Sequence, residues 1–154
     1  MVLIRAALSK ILPQEDLVLS LDVDTIVDKN IDSIWNFSMD NYYIAGAREP
    51  AKTTKKFLYI NFGVCLLNLK LLRETNKDNE ILDAINTQYF EANEQDCFNI
   101  KCQGKILEIP SSYNANHFTL KTDDKKIIHY AGIDKWQDDW LVLKYKHTPL
   151  ITLL

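Results

Sequence analysis

Asp22 and Asp24 stand one residue apart at the end of the apolar run Leu17-Val18-Leu19-Ser20-Leu21. Side chains alternate along a strand, so such a pair projects to one side, where two carboxylates repel each other and lose hydration. A divalent cation relieves both costs, and hard cations prefer oxygen ligands. With 14 Asp in the chain, about one Asp-x-Asp arises by chance, and taken alone the pair is more often a helix cap or turn after the strand. His129 adds a nitrogen ligand for the same ion, late in a second apolar run, Ile127-Ile128-His129-Tyr130. Taken alone, a histidine at a strand end is more often structural. Gly132 lets backbone approach an anion closely, and Lys135 offers a positive charge to a phosphate. Together these residues describe a metal–diphosphate site. Mn²⁺ or Mg²⁺ suits it, because such ions bind through few carboxylates plus substrate phosphates.

Two further groups carry polar chemistry. Glu94-Gln95-Asp96 opens a helix, where acidic groups serve as caps; the functional alternative is a cluster that holds sugar hydroxyls or stabilises positive charge developing at an anomeric carbon. Asn61 precedes Phe62-Gly63 and either makes a turn or uses its amide to donate to and accept from a sugar hydroxyl.

The elements that must position these residues follow from the hydrophobic pattern. Leu3, Ala7, Leu8, Ile11 and Leu12 recur at helical spacing until Pro13 stops them. The run ending at Leu21 reads as a strand buried in a sheet, and Asn30 to Trp35 as a short capped helix. Tyr42 to Ala47 is a second strand, followed by an exposed polar loop, Ala51 to Lys56. Phe57 to Leu67 is strand-like with Gly63 interrupting it, and Leu69 to Glu74 is helical. Asn76 to Asn79 reads as a turn before a helix with Ile81, Leu82, Ile85 and Tyr89 on one face. Lys105 to Ile109 and Ile127 to Tyr130 are further strands. Alternating strands and helices indicate an α/β sheet domain, and ligands in such sheets gather beyond the carboxyl ends of strands, where Asp22 and Asp24 stand.

A chain of 154 residues, 47% hydrophobic, is long enough to bury a core as one domain, 1–154. A net charge of −3 without a basic cluster argues against nucleic acid as the main partner. No apolar stretch reaches the roughly 18 residues that span a bilayer. The odd set Cys65, Cys97 and Cys102 lacks zinc spacing and reads as buried free thiols in a reducing cytoplasm. Trp140-Leu141-Val142-Leu143 and Leu150 to Leu154, near Lys144 and Lys146, pack in a core or against a partner, with peripheral contact at the inner membrane face as the alternative.

In order, these motifs resemble glycosyltransferase family 8, the group of glycogenin and bacterial lipopolysaccharide galactosyltransferases. The matching stretches are Arg5 through Pro13, Leu21 through Val27, Ile31 through Trp35, Tyr59 through Asn68, Glu94 through Asn99, Ile109 through Asn114 and Ile128 through Gly132. The resemblance implies a GT-A-like (Rossmann-like) mixed sheet flanked by helices. It implies that Asp22, Asp24 and His129 ligate Mn²⁺ (or Mg²⁺) bridging a nucleotide diphosphate contacted by Lys135 and Gly132. Arg5, Asn61, Glu94, Gln95 and Asp96 would surround the donor sugar, with Gln95 or its acidic neighbours beside the anomeric carbon. The activity implied is retaining transfer of a hexose from a nucleotide sugar, UDP-glucose or UDP-galactose, to a glycan or lipopolysaccharide acceptor. Two departures stand out. Trp136 follows Lys135 directly where the family has Lys-Pro-Trp, and the chain opens at the Arg-containing helix rather than at the family's first nucleotide-binding strand. The expectation is therefore an N-terminally truncated unit, the C-terminal portion of the catalytic domain, with a sheet edge covered by self-association or a partner. The alternative is a catalytically impaired remnant or interaction module of the same fold.

Overall fold

The computed structural model describes residues 4–132. A four-stranded mixed sheet runs in the order β1 (Leu17–Leu21), β4 (Ile60–Asn68), β3 (Ile44–Arg48), β5 (Ile106–Ile109). β4 is antiparallel to both of its neighbours, and β3 and β5 are parallel. A separate antiparallel ribbon joins β2 (Thr25–Val27) to β6 (Ile127–His129). Helices α1 (Ile4–Ile11), α2 (Leu69–Glu74), α3 (Lys77–Thr87) and α4 (Glu94–Lys101) pack on one face of the sheet with Ile44, Ile60, Phe62, Cys65 and Leu67. The other face buries Ala45, Leu66 and Ile109 under Ile34, Met39 and Tyr113, which come from two short 3₁₀ turns, Asp32–Asn36 and Ser111–Tyr113, and the segment between. Among the described residues no helix is long and apolar enough to cross a membrane.

β4 is the spine. All nine of its residues are buried, as expected of a strand covered on both faces. Gly63 lies inside this strand rather than ending it. The interruption expected there shows instead in the pairing with β3, whose register slips between Gly46↔Cys65 and Arg48↔Ile60. Extra residues on one strand bend it and re-aim side chains, and this bulged stretch contains Asn61 and Gly63. Helix α4 supplies part of the hydrogen bonding there. Asn99 accepts from Ile60 N at 2.8 Å and donates to Ile60 O at 2.9 Å, while Gln95 Oε1 accepts from Phe62 N at 2.9 Å. Residues four apart share one helix face, so a single face of α4 clamps the irregular strand.

Several expectations are corrected. β1, one of the two edge strands of the described sheet, is half-buried along all five residues rather than buried, because an apolar run reports what covers a strand's faces and not what lies beside it. The turn expected at Asn76 to Asn79 consists instead of Thr75 and Asn76: Asn76 takes φ +58°, and α3 begins at Lys77. Tyr89 lies past the end of α3 and is 90% exposed, so it adds nothing to that helix's buried face. The three cysteines are free and buried, and burial pushes the Cys97 thiol up to about 11 and that of Cys102 to about 12.

Asn68 joins two elements at the end of β4. Its Oδ1 accepts from Leu71 N at 2.9 Å to cap α2, and its Nδ2 donates to Met39 O at 2.8 Å. Asn68→Ala removes a cap and strands a buried carbonyl, so urea unfolding should register a loss of about 2 kcal/mol. Asn68→Ser, which keeps a cap acceptor and places no oxygen against Met39 O, should lose less. Equal losses from the two variants would show that the cap contributes nothing.

Candidate functional site

The Asp-x-Asp pair lies in the turn that leaves β1, not in the strand itself. Asp22 N donates to Gly63 O at 2.8 Å, fastening the turn to the spine, and Thr25 closes it with its N–H and Oγ1 on Asp22 O at 3.1 and 2.7 Å. The chain then enters β2, which pairs with β6 so that Thr25 faces His129; Tyr130 N donates to Asp24 O at 3.0 Å. That register, rather than strand alternation, brings the three side chains together. One ligand atom from each of Asp22, Asp24 and His129 falls within 4.8 Å of the others. His129 Nε2 is 3.5 Å from Asp24 Oδ1 and 3.7 Å from Asp22 Oδ2, too far to hydrogen-bond and well placed to share a guest.

The His129 ring is itself held. It packs against Gly63, where an added β-carbon would stand 1.9 Å from Cε1 and 2.4 Å from Nδ1, so only glycine leaves room for it. Burial lowers the imidazole pKa below its ordinary value, more than Asp24 and Asp22 raise it. Burial thus favours the neutral ring, the form that ligates a metal. Two carboxylate oxygens and one imidazole nitrogen suit Mn²⁺, and also Mg²⁺ through the carboxylates.

Arg5 reaches this turn from α1. It forms an ion pair with Asp22 Oδ1, donates to Ser20 Oγ at 2.7 Å and to Glu94 Oε1 at 2.8 Å. Burial disfavours the guanidinium charge, but Asp22 and Glu94 outweigh it and hold the Arg5 pKa above its ordinary value. Burial raises the Glu94 carboxyl despite Arg5, and Glu94 Oε2 is buried with no hydrogen-bond partner among the described residues.

Asp22, Asp24, His129, Asn61, Gln95 and Gly132 line one cleft of about 350 Å³, together with Gly63, Glu49, Lys52, Phe118 and Ala131. Gly132 takes φ +68°, a conformation that favours glycine. Gln95 has Oε1 committed to Phe62 N and one Nε2 hydrogen to Tyr59 Oη at 3.0 Å, leaving one hydrogen for a ligand. Arg5, Glu94 and Asp96 lie behind the lining. Burial opposes charge on Asp96, yet bonds from Tyr59, Ala92 N and Lys52 keep its carboxyl below the usual range. Lys135 falls outside the described residues, as do Trp136 and the apolar segments beyond it.

Sequence reasoning did not single out Phe118, reached Glu49 and Lys52 only as part of an acceptor-facing loop from Arg48 to Lys56, and read Gly63 only as an interruption of a strand. Glu49 is 5% exposed and accepts from Asn61 Nδ2 at 3.1 Å, but in the sequence it merely precedes a proline at the start of a polar loop. It also missed Asn114, which bonds both Asn61 and His129 from the stretch Ile109 through Asn114.

The sequence model of the family described as Glycosyl transferase family 8 matches residues 1–140. A Haemophilus influenzae protein described as a glycosyltransferase is 25% identical over 155 residues, covering 86% of this chain and 47% of the relative. Among solved structures, the glycosyltransferase GlyE of Streptococcus pneumoniae superposes with a TM-score of 0.78 at 20% identity, over 96% of this chain and 43% of that one. The galactosyltransferase LgtC, in complex with donor and acceptor sugar analogs, gives 0.69 at 18% identity, over 93% and 64%. These likenesses show a GT-A-type fold. The chain spans about half the length of the Haemophilus influenzae relative.

The contact between Gly63 and His129 is testable by stability alone. Gly63→Ala should cost about 1–3 kcal/mol, the usual penalty of overpacking, and far less in a His129→Ala background, where the ring is gone. Chemical unfolding of the four proteins measures the coupling. Additive costs would show that the ring does not occupy the space above Gly63.

Proposed function

The chain belongs to glycosyltransferase family 8, and from that premise we propose that residues 1–154 form one domain of a metal-dependent, retaining glycosyltransferase. It transfers a hexose from a nucleotide sugar, UDP-glucose or UDP-galactose, to a glycan or lipopolysaccharide acceptor. The observation that carries this reading is the convergence of Asp22, Asp24 and His129 at one cleft with Asn61 and Gln95.

In this reading Asp22, Asp24 and His129 hold Mn²⁺ (or Mg²⁺). The ion, when bound, neutralises charge on the departing diphosphate as a Lewis acid. Gly132 brings backbone close to that diphosphate, and Lys135 adds a positive charge to it. Asn61 and the free Nε2 hydrogen of Gln95 orient the sugar from the cleft wall. Arg5 holds and aims Asp22, and with Glu94 and Asp96 supports the wall from behind. Gln95 positions the sugar; no nucleophile is assigned to it. Lys52 and Phe118 line the same cleft, and a polar cation beside an aromatic face suits a glycan hydroxyl surface.

Calorimetry with UDP, with and without Mn²⁺, tests the metal site. Asp24→Asn is nearly isosteric but loses a charge, so Mn²⁺-dependent UDP binding should weaken on the order of 100-fold. Unchanged metal-dependent binding in the folded variant would remove the assignment. With a donor sugar, Gln95→Ala should lower turnover well beyond its effect on UDP affinity. Because Gln95 also bonds Phe62 N, a proportional loss of both would mark it as a structural clamp on β4. Metal-dependent UDP binding without sugar transfer to any acceptor would favour the impaired remnant.

A further inference from the structure

A ligating histidine must present a bare nitrogen, and which nitrogen is bare depends on what the other one meets. His129 Nδ1 lies 2.9 Å from Asn114 Oδ1 and 3.3 Å from Asn116 Nδ2, two partners with opposite demands. Backbone groups decide between them, since an N–H only donates and a carbonyl only accepts. Gly63 N donates to Asn61 at 3.2 Å, which identifies that atom as Oδ1 and turns Asn61 Nδ2 toward the Glu49 carboxylate at 3.1 Å. Asn61 O faces Asn114 at 3.3 Å, which identifies the facing atom as Nδ2; the same group also donates to Asn61 Oδ1 at 3.0 Å. The remaining amide atom of Asn114, the one against His129 Nδ1, is therefore the oxygen. Asn116 is fixed independently: its Oδ1 accepts from Phe118 N at 2.8 Å and Thr119 N at 3.1 Å. Its Nδ2 hydrogens have acceptors in Asn114 Oδ1 at 2.7 Å and Asn114 O at 3.3 Å. A bare Nδ1 would set two lone pairs against each other at 2.9 Å, whereas a protonated one satisfies the short contact and leaves Asn116 its own acceptors.

We propose that Asn114 is a positioning residue that holds His129 as the Nδ1–H tautomer, so that the Nε2 lone pair faces Asp22 and Asp24. The chain Glu49–Asn61–Asn114 has a direction because both ends are chemically unambiguous. A carboxylate closes it at Glu49, and the Gly63 N–H anchors it at Asn61. Glu49, Asn61 and Asn114 are all buried, so water does not compete for these bonds. Glu49 and Asn61 thus act on the histidine through Asn114, in addition to lining the cleft. The purpose given to the tautomer rests on the metal reading above; the tautomer itself does not.

The test is long-range ¹H–¹⁵N NMR of the His129 ring in metal-free protein near pH 7.5, followed by Mn²⁺ titration with UDP present. Wild type should show a protonated Nδ1 and a bare Nε2. Asn114→Leu should shift the ring toward the Nε2–H form and weaken Mn²⁺ binding about 10–100-fold, the range typical of lost outer-shell partners. Asn114→Asp keeps an acceptor for Nδ1–H and should keep the Nδ1–H form, while its second oxygen, set against Asn61 O and Oδ1, lowers stability. A wild-type ring protonated at Nε2 overturns the proposal, even where Asn114→Leu fails to fold. Wild-type Mn²⁺ affinity in a folded Asn114→Leu overturns the positioning role. A wild-type protein with Nδ1–H that takes up no Mn²⁺ upholds the tautomer assignment and overturns the metal reading instead.

Discussion

The imidazole of His129 occupies the space where any residue other than glycine at position 63 would place a side chain. This contact fits the β2–β6 ribbon against the spine of the main sheet. Asp22 N, bonded to Gly63 O, fastens the Asp-x-Asp turn to the same residue from the other direction. Gly63 is thus the point at which the turn and the histidine meet one rigid strand. Displacing the ring would move Nε2 while leaving both carboxylates in place, and the cluster depends on all three.

That strand is irregular at the same point. A regular β4 would pair with β3 throughout and offer its backbone to nothing else. The register slip between Cys65 and Ile60 alters the ladder, and Gln95, Asn99 and Asn61 take up the backbone groups of Ile60, Phe62 and Gly63. A polar helix face and a polar strand segment are thereby buried at little cost, because each amide is satisfied. The same bonds hold Gln95 and Asn61 at the cleft wall, where a ligand would meet side chains already oriented. Structure and recognition are not separable at these two residues.

How much of this is legible in the sequence depends on whether the signal is local. Helices α1, α2 and α4 can be read nearly to the residue because Pro13, Asn68 and the acidic group at Glu94 mark their ends. Asp22, Asp24 and His129 are legible as chemistry, but strand alternation is not what puts the two carboxylates on one side. The turn after β1 and the β2–β6 register produce that result instead. Glu49 and Asn114 are illegible. Their importance arises from pairings across 12 and 53 residues with Asn61, and an isolated Glu-Pro or Tyr-Asn carries no trace of them. Gly63 stands out as an interruption, yet what it makes room for lies 66 residues away, by subtraction of 63 from 129.

The charges around the turn explain why these parts belong together. Three carboxyl groups, Asp22, Asp24 and Glu94, stand around the turn with one guanidinium, Arg5, bonded to Asp22 and Glu94. Burial lowers the His129 pKa and favours its neutral form. The Arg5 contacts leave carboxylate oxygens facing His129, where the divalent cation is proposed. Arg5 does not compete for that position: it takes Asp22 Oδ1 and leaves Oδ2 toward His129. The guanidinium and the proposed ion therefore divide one carboxylate between them, each with its own oxygen. In the proposed reading the ion would screen Asp24 and the Oδ2 side of Asp22, as Arg5 already does on the Oδ1 side. In the proposed arrangement the histidine contributes a directed lone pair rather than charge, so the proton on its far nitrogen decides whether Nε2 is available.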